Sequence, residues 1–423
     1  MLRRFPFLLL VGLVVPALPA LGHAAGVSCS SLVTRASVGP CAALVSPDVR
    51  LGAVDQEIAA ARGLAAKTWL PSNPVISAAV ATRSNDVNPR ATNWYATLAQ
   101  EIEIGGQRGA RVVSADAERS ASGQRLVAAR RAAAVAAWKA YFAVLASTEE
   151  LGLATRLEGL TAKVAETTQA FADRGAVAGI DADLSDAVAS RARQARIAAE
   201  GRRSSSRAVL ASLLAVPVGE LRVEGELEPL RDVAVKARRA EGAPRPELLA
   251  LQEQAKVFEA RSRVFERQRV PNLILSGFIQ NDGYNERVIG LGVALPIPLP
   301  GPVGRTYAGE IAEAHASARY ALADAGRLRA VLGRETAVAL AEYDARVAER
   351  DAIPREKFAR IEATLTSLAD QISAGRLAPR DAFLAQQALI DLLQSQVTAR
   401  RLACEASVEV ARASGLTLEE GEP

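Results

Sequence analysis

Two stretches of this chain, 200 residues apart, carry the same punctuation. Residues 171–184 read FADRGAVAGIDADL and residues 371–384 read QISAGRLAPRDAFL. With Gly175 placed on Gly375, Val177 falls on Leu377, Ala178 on Ala378, Asp181 on Asp381 and Leu184 on Leu384. Upstream, Gly106 and Gly109 correspond to Gly301 and Gly304. Such a period is far longer than the roughly 20–50 residues of a solenoid unit. It marks a duplicated half-protein, so the fold has to build its main elements twice.

Each half runs through a long helical stretch into its glycine turn. Leu153, Leu157, Leu160, Val164 and Phe171 recur at spacings of three, four and seven, and Phe358, Ile361, Leu365, Leu368 and Ile372 alternate three and four. That is a heptad seam, the pattern of helices packed side by side. Gly109 to Gly175 is 66 residues, about 100 Å at 1.5 Å per helical residue. A helix of that length lines a rod or a tube rather than wrapping a compact domain. Gly175 and Gly375 read as the tips of helical hairpins, with Asp181 and Asp381 placed to begin the next helix as N-caps. Pro354 should interrupt the second long helix. Aromatic residues make up only 4% and alanine is abundant, a composition suited to closely packed long helices.

Before each long helix lies a pair of strand-like segments, 74–82 with 94–104 and 272–280 with 286–295. Trp94, Ala96, Leu98, Ile102 and Ile104 share one face, against Tyr95, Thr97, Glu101 and Glu103. Ile289, Leu291, Val293 and Leu295 alternate against Val288, Gly290, Gly292 and Ala294. Segments of ~9–11 residues cross a bilayer when tilted, and alternation suits a wall with lipid outside and water inside. A soluble hairpin packed on helices gives a similar pattern for one strand. Four strands cannot close a membrane barrel, and open edges are not tolerated in lipid, so several copies must share one barrel. Trp94 and Tyr284 are expected near the outer ends of the strands, at headgroup level.

The N-terminus has the form of a secretory signal. Arg3 and Arg4 precede an apolar run from Phe7 to Val15, and Gly22, Ala24, Ala25 and Gly26 follow, with cleavage expected near Ala24. No second apolar segment reaches spanning length. Loss of Arg3 and Arg4 lowers the formal charge from +4 to +2; charges of both signs alternate throughout, which excludes a nucleic-acid footprint. In an oxidising compartment Cys29 and Cys41 can pair. The rival is a lipid-anchored Cys29, although Gly26-Val27-Ser28 lacks the leucine usual before a lipidated cysteine. Cys404, in an alanine-rich helical stretch, reads as a small packed residue. Beyond the signal the chain has one histidine, His315, and no methionine. His315 reads as a helix-surface residue, and the chain offers no soft-metal relay. With no nucleophile elbow, no metal-ligand cluster and one histidine, there is little basis for an enzyme, a metal site or a cofactor.

An ordered set of segments resembles the TolC-type outer-membrane efflux factor family, and within it the CzcC-like branch associated with heavy-metal export. The segments are Asn73-Pro74, LAQEIEIGGQRGAR (98–111), RPELLALQ (245–252), VPNLILS (270–276), GLGVALPIPLPG (290–301) and Pro354 to Gln386. The resemblance implies a mainly α fold with a small β part, in the outer membrane with a long periplasmic extension. Antiparallel α-helical hairpins would form an α-barrel, and four strands per chain would join a shared 12-stranded transmembrane β-barrel in a homotrimer. It implies a passive exit duct, with a periplasmic adaptor, an inner-membrane pump of the resistance-nodulation-division type and outer-membrane lipid as partners. The expected organisation is a signal peptide (1–24), an N-terminal segment (25–45), a first repeat (46–215), an inter-repeat linker packing outside the tube's middle (216–245), a second repeat (246–414) and an acidic tail (415–423). The alternative is a periplasmic coiled-coil adaptor, which would place one central hairpin between two β-rich halves.

Charges gather at the two tips: Arg174, Asp181 and Asp183 on the first, Arg376, Arg380 and Asp381 on the second. In a threefold assembly each becomes a ring of three, and charged rings set conductance at a constriction. These six residues are the candidate periplasmic gate and adaptor contact.

Overall fold

The computed structural model describes residues 29–83, 91–239, 245–281 and 286–418. The expected signal peptide, Tyr284, Pro244 of the linker and residues 419–423 of the tail lie outside the described residues. The elements follow in order as β1 (Leu32–Val33), α1 (Val38–Val45), α2 (Pro47–Ala66), β2 (Val75–Arg83), β3 (Ala91–Ile102), α3 (Gln107–Asp173), α4 (Gly179–Leu214), β4 (Arg222–Val223), α5 (Val233–Arg239), α6 (Pro246–Gln268), β5 (Leu273–Asn281), β6 (Arg287–Ala294), α7 (Ala308–Asp351), α8 (Arg355–Ser373) and α9 (Pro379–Ser414). The fold is mainly α with a small antiparallel sheet. No described helix is long and apolar enough to cross a membrane.

The duplication is visible element by element. α4 and α9 are each 36 residues long and begin and end 200 positions apart. Each is followed by a left-handed residue, Ala215 at φ 51° and Gly415 at φ 89°. α3 runs 67 residues, about 100 Å, because no proline interrupts it and its many alanines favour the helix. Its counterpart is broken: α7 stops at Asp351 and α8 restarts at Arg355, with Pro354 extended at φ −59°, ψ 152°. Proline supplies no N–H for the helical ladder. Gln396 of α9 covers the broken end, its amide donating to the Arg350 and Ile353 carbonyls at 3.0 and 3.1 Å.

The glycine equivalence upstream does not hold. Gly106, at φ 76°, is the N-cap of α3, but the matching N-cap of α7 is Tyr307, at φ 53°. Gly301 and Gly304 lie in the loop before it. Because a non-glycine residue holds the left-handed position, matching glycine to glycine shifts the register.

The helices stand in a row beneath the sheet: α2 packs on α3, α3 on α6 and α6 on α7. The four-stranded sheet has the same order, β2–β3–β5–β6, so β2 and α2 share one edge and β6 and α7 the other. Further from the sheet, α3, α4, α8 and α9 pack together. There the two heptad seams meet: Leu153 and Leu157 bury against Ile361, Leu365, Leu393 and Val397.

The main core sits midway along α3. Trp138, Tyr141 and Phe142 are fully buried, with ring centroids 5.5–5.8 Å apart. Leu221, Leu227, Leu230 and Val233, from the stretch between α4 and α6, close over them, together with Val33 and Val38. β1 pairs in parallel with β4. Arg35 stacks on the Trp138 and Phe142 rings and donates to the Glu228 and Pro229 carbonyls at 2.7 and 3.1 Å. The Tyr141 hydroxyl donates to the Glu224 carbonyl at 2.7 Å, and burial pushes its pKa up to about 12. Cys404 is buried in the same core, and burial raises its thiol pKa to about 12.

Candidate functional site

The register of the sheet sorts its side chains onto two faces. Ile76 pairs with Leu98, Leu98 with Gly277 and Gly277 with Leu291. Val80, Trp94, Leu275, Ile289 and Val293 fall on the same side by the same pairing. This face is apolar and open: Ile76 is 78% exposed, Val80 73%, Ile289 78% and Leu291 91%. The apolar sets read separately in the two halves of the sequence therefore form one surface. The opposite face is mixed: it carries Ser77, Thr97, Glu101, Ser276 and Gln280, together with Val75, Tyr95, Ile274, Phe278 and Val288. A Cβ on Gly290 would lie 2.4 Å from the Phe278 ring, so the ring occupies the space a side chain there would need. Trp94 sits on the apolar side, on the rung Val80–Trp94–Asn281 towards the loop end. The strands start and stop within about three residues of their expected limits, the largest shift being β3, which begins at Ala91.

The two tips are built alike. Gly175 (φ 72°) and Gly375 (φ 69°) close the preceding helices in a Schellman arrangement. The Ala176 N–H donates to the Phe171 carbonyl at 2.9 Å, and the Arg376 N–H to the Gln371 carbonyl at 3.0 Å. The N-caps of the next helices are Ala178 and Ala378, both extended, with no side-chain cap. Asp181 and Asp381 are thus not N-caps. They sit three residues on, in the first turn, where a carboxylate favours the helix dipole. Asp181 is only 5% exposed. Arg174, Asp183, Arg376, Arg380 and Asp381 are exposed. Arg380 and Asp381 approach each other within one tip, at 3.6 Å. The tips also touch: a Cβ on Gly375 would lie 3.5 Å from the Phe171 ring.

Cys29 and Cys41 are bonded as a disulfide, with Cα atoms 5.7 Å apart, tying the segment before β1 to α1. His315 is exposed on α7. Among the described residues no group of three His, Cys, Asp or Glu could hold a metal ion.

A polar network at the neck, between sheet and helices, was not singled out from sequence. Glu101 accepts from Asn272 at 2.8 Å and from Ser72 at 3.2 Å. The Gln107 amide donates to Asn272 Oδ1 at 3.0 Å and to the Val270 carbonyl at 2.8 Å. Its parts lie in 98–111 and 270–276, two segments that carry the family resemblance, and only the fold joins them.

No protein-family model and no curated protein matches the chain by sequence. By structure it is similar to a membrane protein from Pseudomonas aeruginosa, at 18% identity and a TM-score of 0.72 over 91% of each chain. It is similar to the outer membrane protein VceC of Vibrio cholerae, at 17% identity and 0.69 over 90% of this chain and 96% of that one. It is also similar to the Campylobacter jejuni CmeC outer membrane channel, at 14% identity and 0.69 over 91% and 85%. The chain has the fold of these outer-membrane channels. Two hairpins and a single sheet drawn from both halves are not the layout of a coiled-coil adaptor.

Proposed function

We propose that this chain is the outer-membrane exit duct of a tripartite efflux system. The observation that carries this reading is the sheet: a continuous, exposed apolar face, an opposite face that mixes polar and apolar residues, and edge strands at β2 and β6. Such edges are untenable in lipid unless another copy pairs with them. Since α2 lies under β2 and α7 under β6, one seam joins copies along sheet and helices together. Exposed Leu51, Val54 and Ile58 on α2, and Tyr320, Leu322 and Val338 on α7, supply apolar surface at those edges. Three copies give the homotrimer and twelve-stranded barrel of the TolC type. The helices continue the tube into the periplasm, where adaptor and pump deliver cargo that then moves passively. Purified in detergent, the protein should have the mass of a trimer and form conducting channels in planar bilayers. A strictly monomeric, non-conducting protein would overturn the reading.

The hairpin tips form the periplasmic gate and adaptor contact, with Arg174, Asp183, Arg376, Arg380 and Asp381 as exposed charges and Asp181 tucked into the first turn. Exposed pairs contribute about 0–1 kcal/mol each, so several are needed to hold a gate that an adaptor opens by binding the splayed state. Asp381→Asn and Arg380→Ala should raise bilayer conductance at low salt; unchanged conductance leaves these residues as turn elements. Heavy-metal cations are the cargo favoured by the CzcC-like resemblance. Metal accumulation in cells lacking the chain, against complemented cells, tests that finer reading.

A further inference from the structure

The two edges of the sheet meet the helices through exposed apolar segments. β2 and β6 run in opposite directions, because each of the three pairings that link them is antiparallel. β2 therefore leaves the neck and β6 returns to it. When β6 of one copy joins β2 of the next, as the seam requires, the new pair is antiparallel too. The residues that follow Ala294 then lie beside the residues that precede Val75 in the neighbouring copy.

After β6 the chain reads LPIPLPGPV over 295–303. Ile297 is 81% exposed and Val303 79%, with Leu295 and Leu299 half exposed. Prolines at 296, 298, 300 and 302 fix φ at every second residue. The chain turns back at Pro300, whose carbonyl accepts from the Val303 and Gly304 N–H groups at 3.1 and 3.0 Å. A Cβ on Gly304 would lie 2.1 Å from the Leu299 carbonyl oxygen, so the turn is closed tightly. Such a loop is stiff before it meets anything, and a stiff surface loses little entropy on docking. Before β2, Trp69 is 79% exposed. The Arg108 guanidinium lies 4.1 Å from the Trp69 ring centroid and donates to the Lys67 carbonyl at 3.1 Å through Nε and one Nη. The ring is held on one face while most of its surface stays open.

We propose that the proline loop 295–303 of one copy clasps Trp69 of the next, closing the neck by the same contact at every seam. The clasp rests on the duct reading in taking its occupant to be a second copy, and goes beyond it in naming the residues that lock the junction of sheet and helices. Continuity selects a copy over lipid as the occupant. The loop directly extends the β6 and α7 edge, Trp69 lies between α2 and β2 on the other, and these are the two edges that the seam joins. At the head of α7 a Cβ on Gly309 would meet nothing within 4 Å, so a large ring has room below the loop. Tryptophan fitted into an apolar, water-excluding pocket is a recurrent hot spot of protein interfaces.

The test co-expresses two tagged versions of the full-length protein, one carrying Leu70→Cys and the other Ile297→Cys or Val303→Cys, and treats them with a short bismaleimide. The native cysteines do not compete, since Cys29 and Cys41 are bonded and Cys404 is buried. A covalent pair bearing both tags is expected, and Leu70→Cys expressed alone should give none. Trp69→Ala should raise the dissociation constant of the assembly in detergent by about tenfold or more, whereas Trp69→Phe should largely preserve it. In vesicles, brominated lipid should quench wild type and Trp69→Phe alike, because protein covers the Trp69 ring. A trimer that yields no mixed covalent pair overturns the clasp, as does unchanged assembly in Trp69→Ala. Stronger quenching of wild type than of Trp69→Phe means that lipid covers the ring, and overturns it too. Planar-bilayer conductance reads the duct separately. A conducting trimer without the mixed pair removes only the clasp, a mixed pair in a non-conducting assembly removes only the duct, and a monomer removes both.

Discussion

Replacing Leu291 with arginine separates a membrane wall from a soluble sheet. Leu291 is 91% exposed and lies mid-strand, on the rung Ile76–Leu98–Gly277–Leu291. In water the side chain touches almost nothing, and such a surface change stays within about 0.5 kcal/mol. Against lipid at mid-depth, arginine on a barrel's outer face costs about 2–4 kcal/mol. At about 1.4 kcal/mol per tenfold, that is roughly 30- to 1,000-fold in the folding equilibrium of each chain. Ser276→Arg is the matched control. It lies one residue from the same rung on the opposite face, between Ala99 and Gly292, where an arginine has room. Folding into lipid vesicles, followed by tryptophan fluorescence across a urea series, should show a large loss for Leu291→Arg and a small one for Ser276→Arg. If Leu291→Arg folds within threefold of wild type, or Ser276→Arg is harmed more, the apolar face is not the lipid face.

Three further outcomes are expected. Gly225 has φ +149° and a Cβ there would lie 1.9 Å from the Tyr141 hydroxyl, so Gly225→Ala should cost about 3–5 kcal/mol from backbone strain and the lost buried hydrogen bond; Tyr141→Phe in the same chain should recover part, and an unchanged melting temperature would refute the contact. Tyr141 and Cys404 are held neutral to about pH 12, whereas the unfolded groups ionise near pH 10 and 8.5. Their stabilisation is therefore complete below about pH 8.5 and lost as pH rises towards 12, about 3 kcal/mol for Tyr141 alone; the urea midpoint should fall across that window, and a flat profile in wild type contradicts it. Opening the Cys29–Cys41 bridge, which closes 12 residues, should lower stability by about 2–3 kcal/mol. Non-reducing mass spectrometry that found both thiols free would end that expectation, and a lipid adduct on Cys29 would replace it.

What the sequence disclosed, and what it withheld, follows from the range of each interaction. The heptad seams were legible because each is set by side chains three or four residues apart, and Leu153, Leu157, Ile361 and Leu365 do bury against one another. Pro354 was legible because its effect is local. Each strand's alternation was legible too, but not that Leu98 and Leu291 share a side; that depends on the pairing of β3 with β5, across 171 residues from Ile102 to Leu273. Asp181 and Asp381 were misplaced by one helical turn because, after the left-handed glycine, each chain passes through an extended alanine before its helix begins. The glycine match failed at Tyr307 because the second half keeps the left-handed conformation and not the residue. The neck network was least legible of all. It joins Gln107, next to the first strand pair, to Val270 and Asn272, before the second, and exists only once the two halves have come together. The chain's architecture is thus written in local periodicity, whereas the contacts that hold the neck together exist only where the two halves meet.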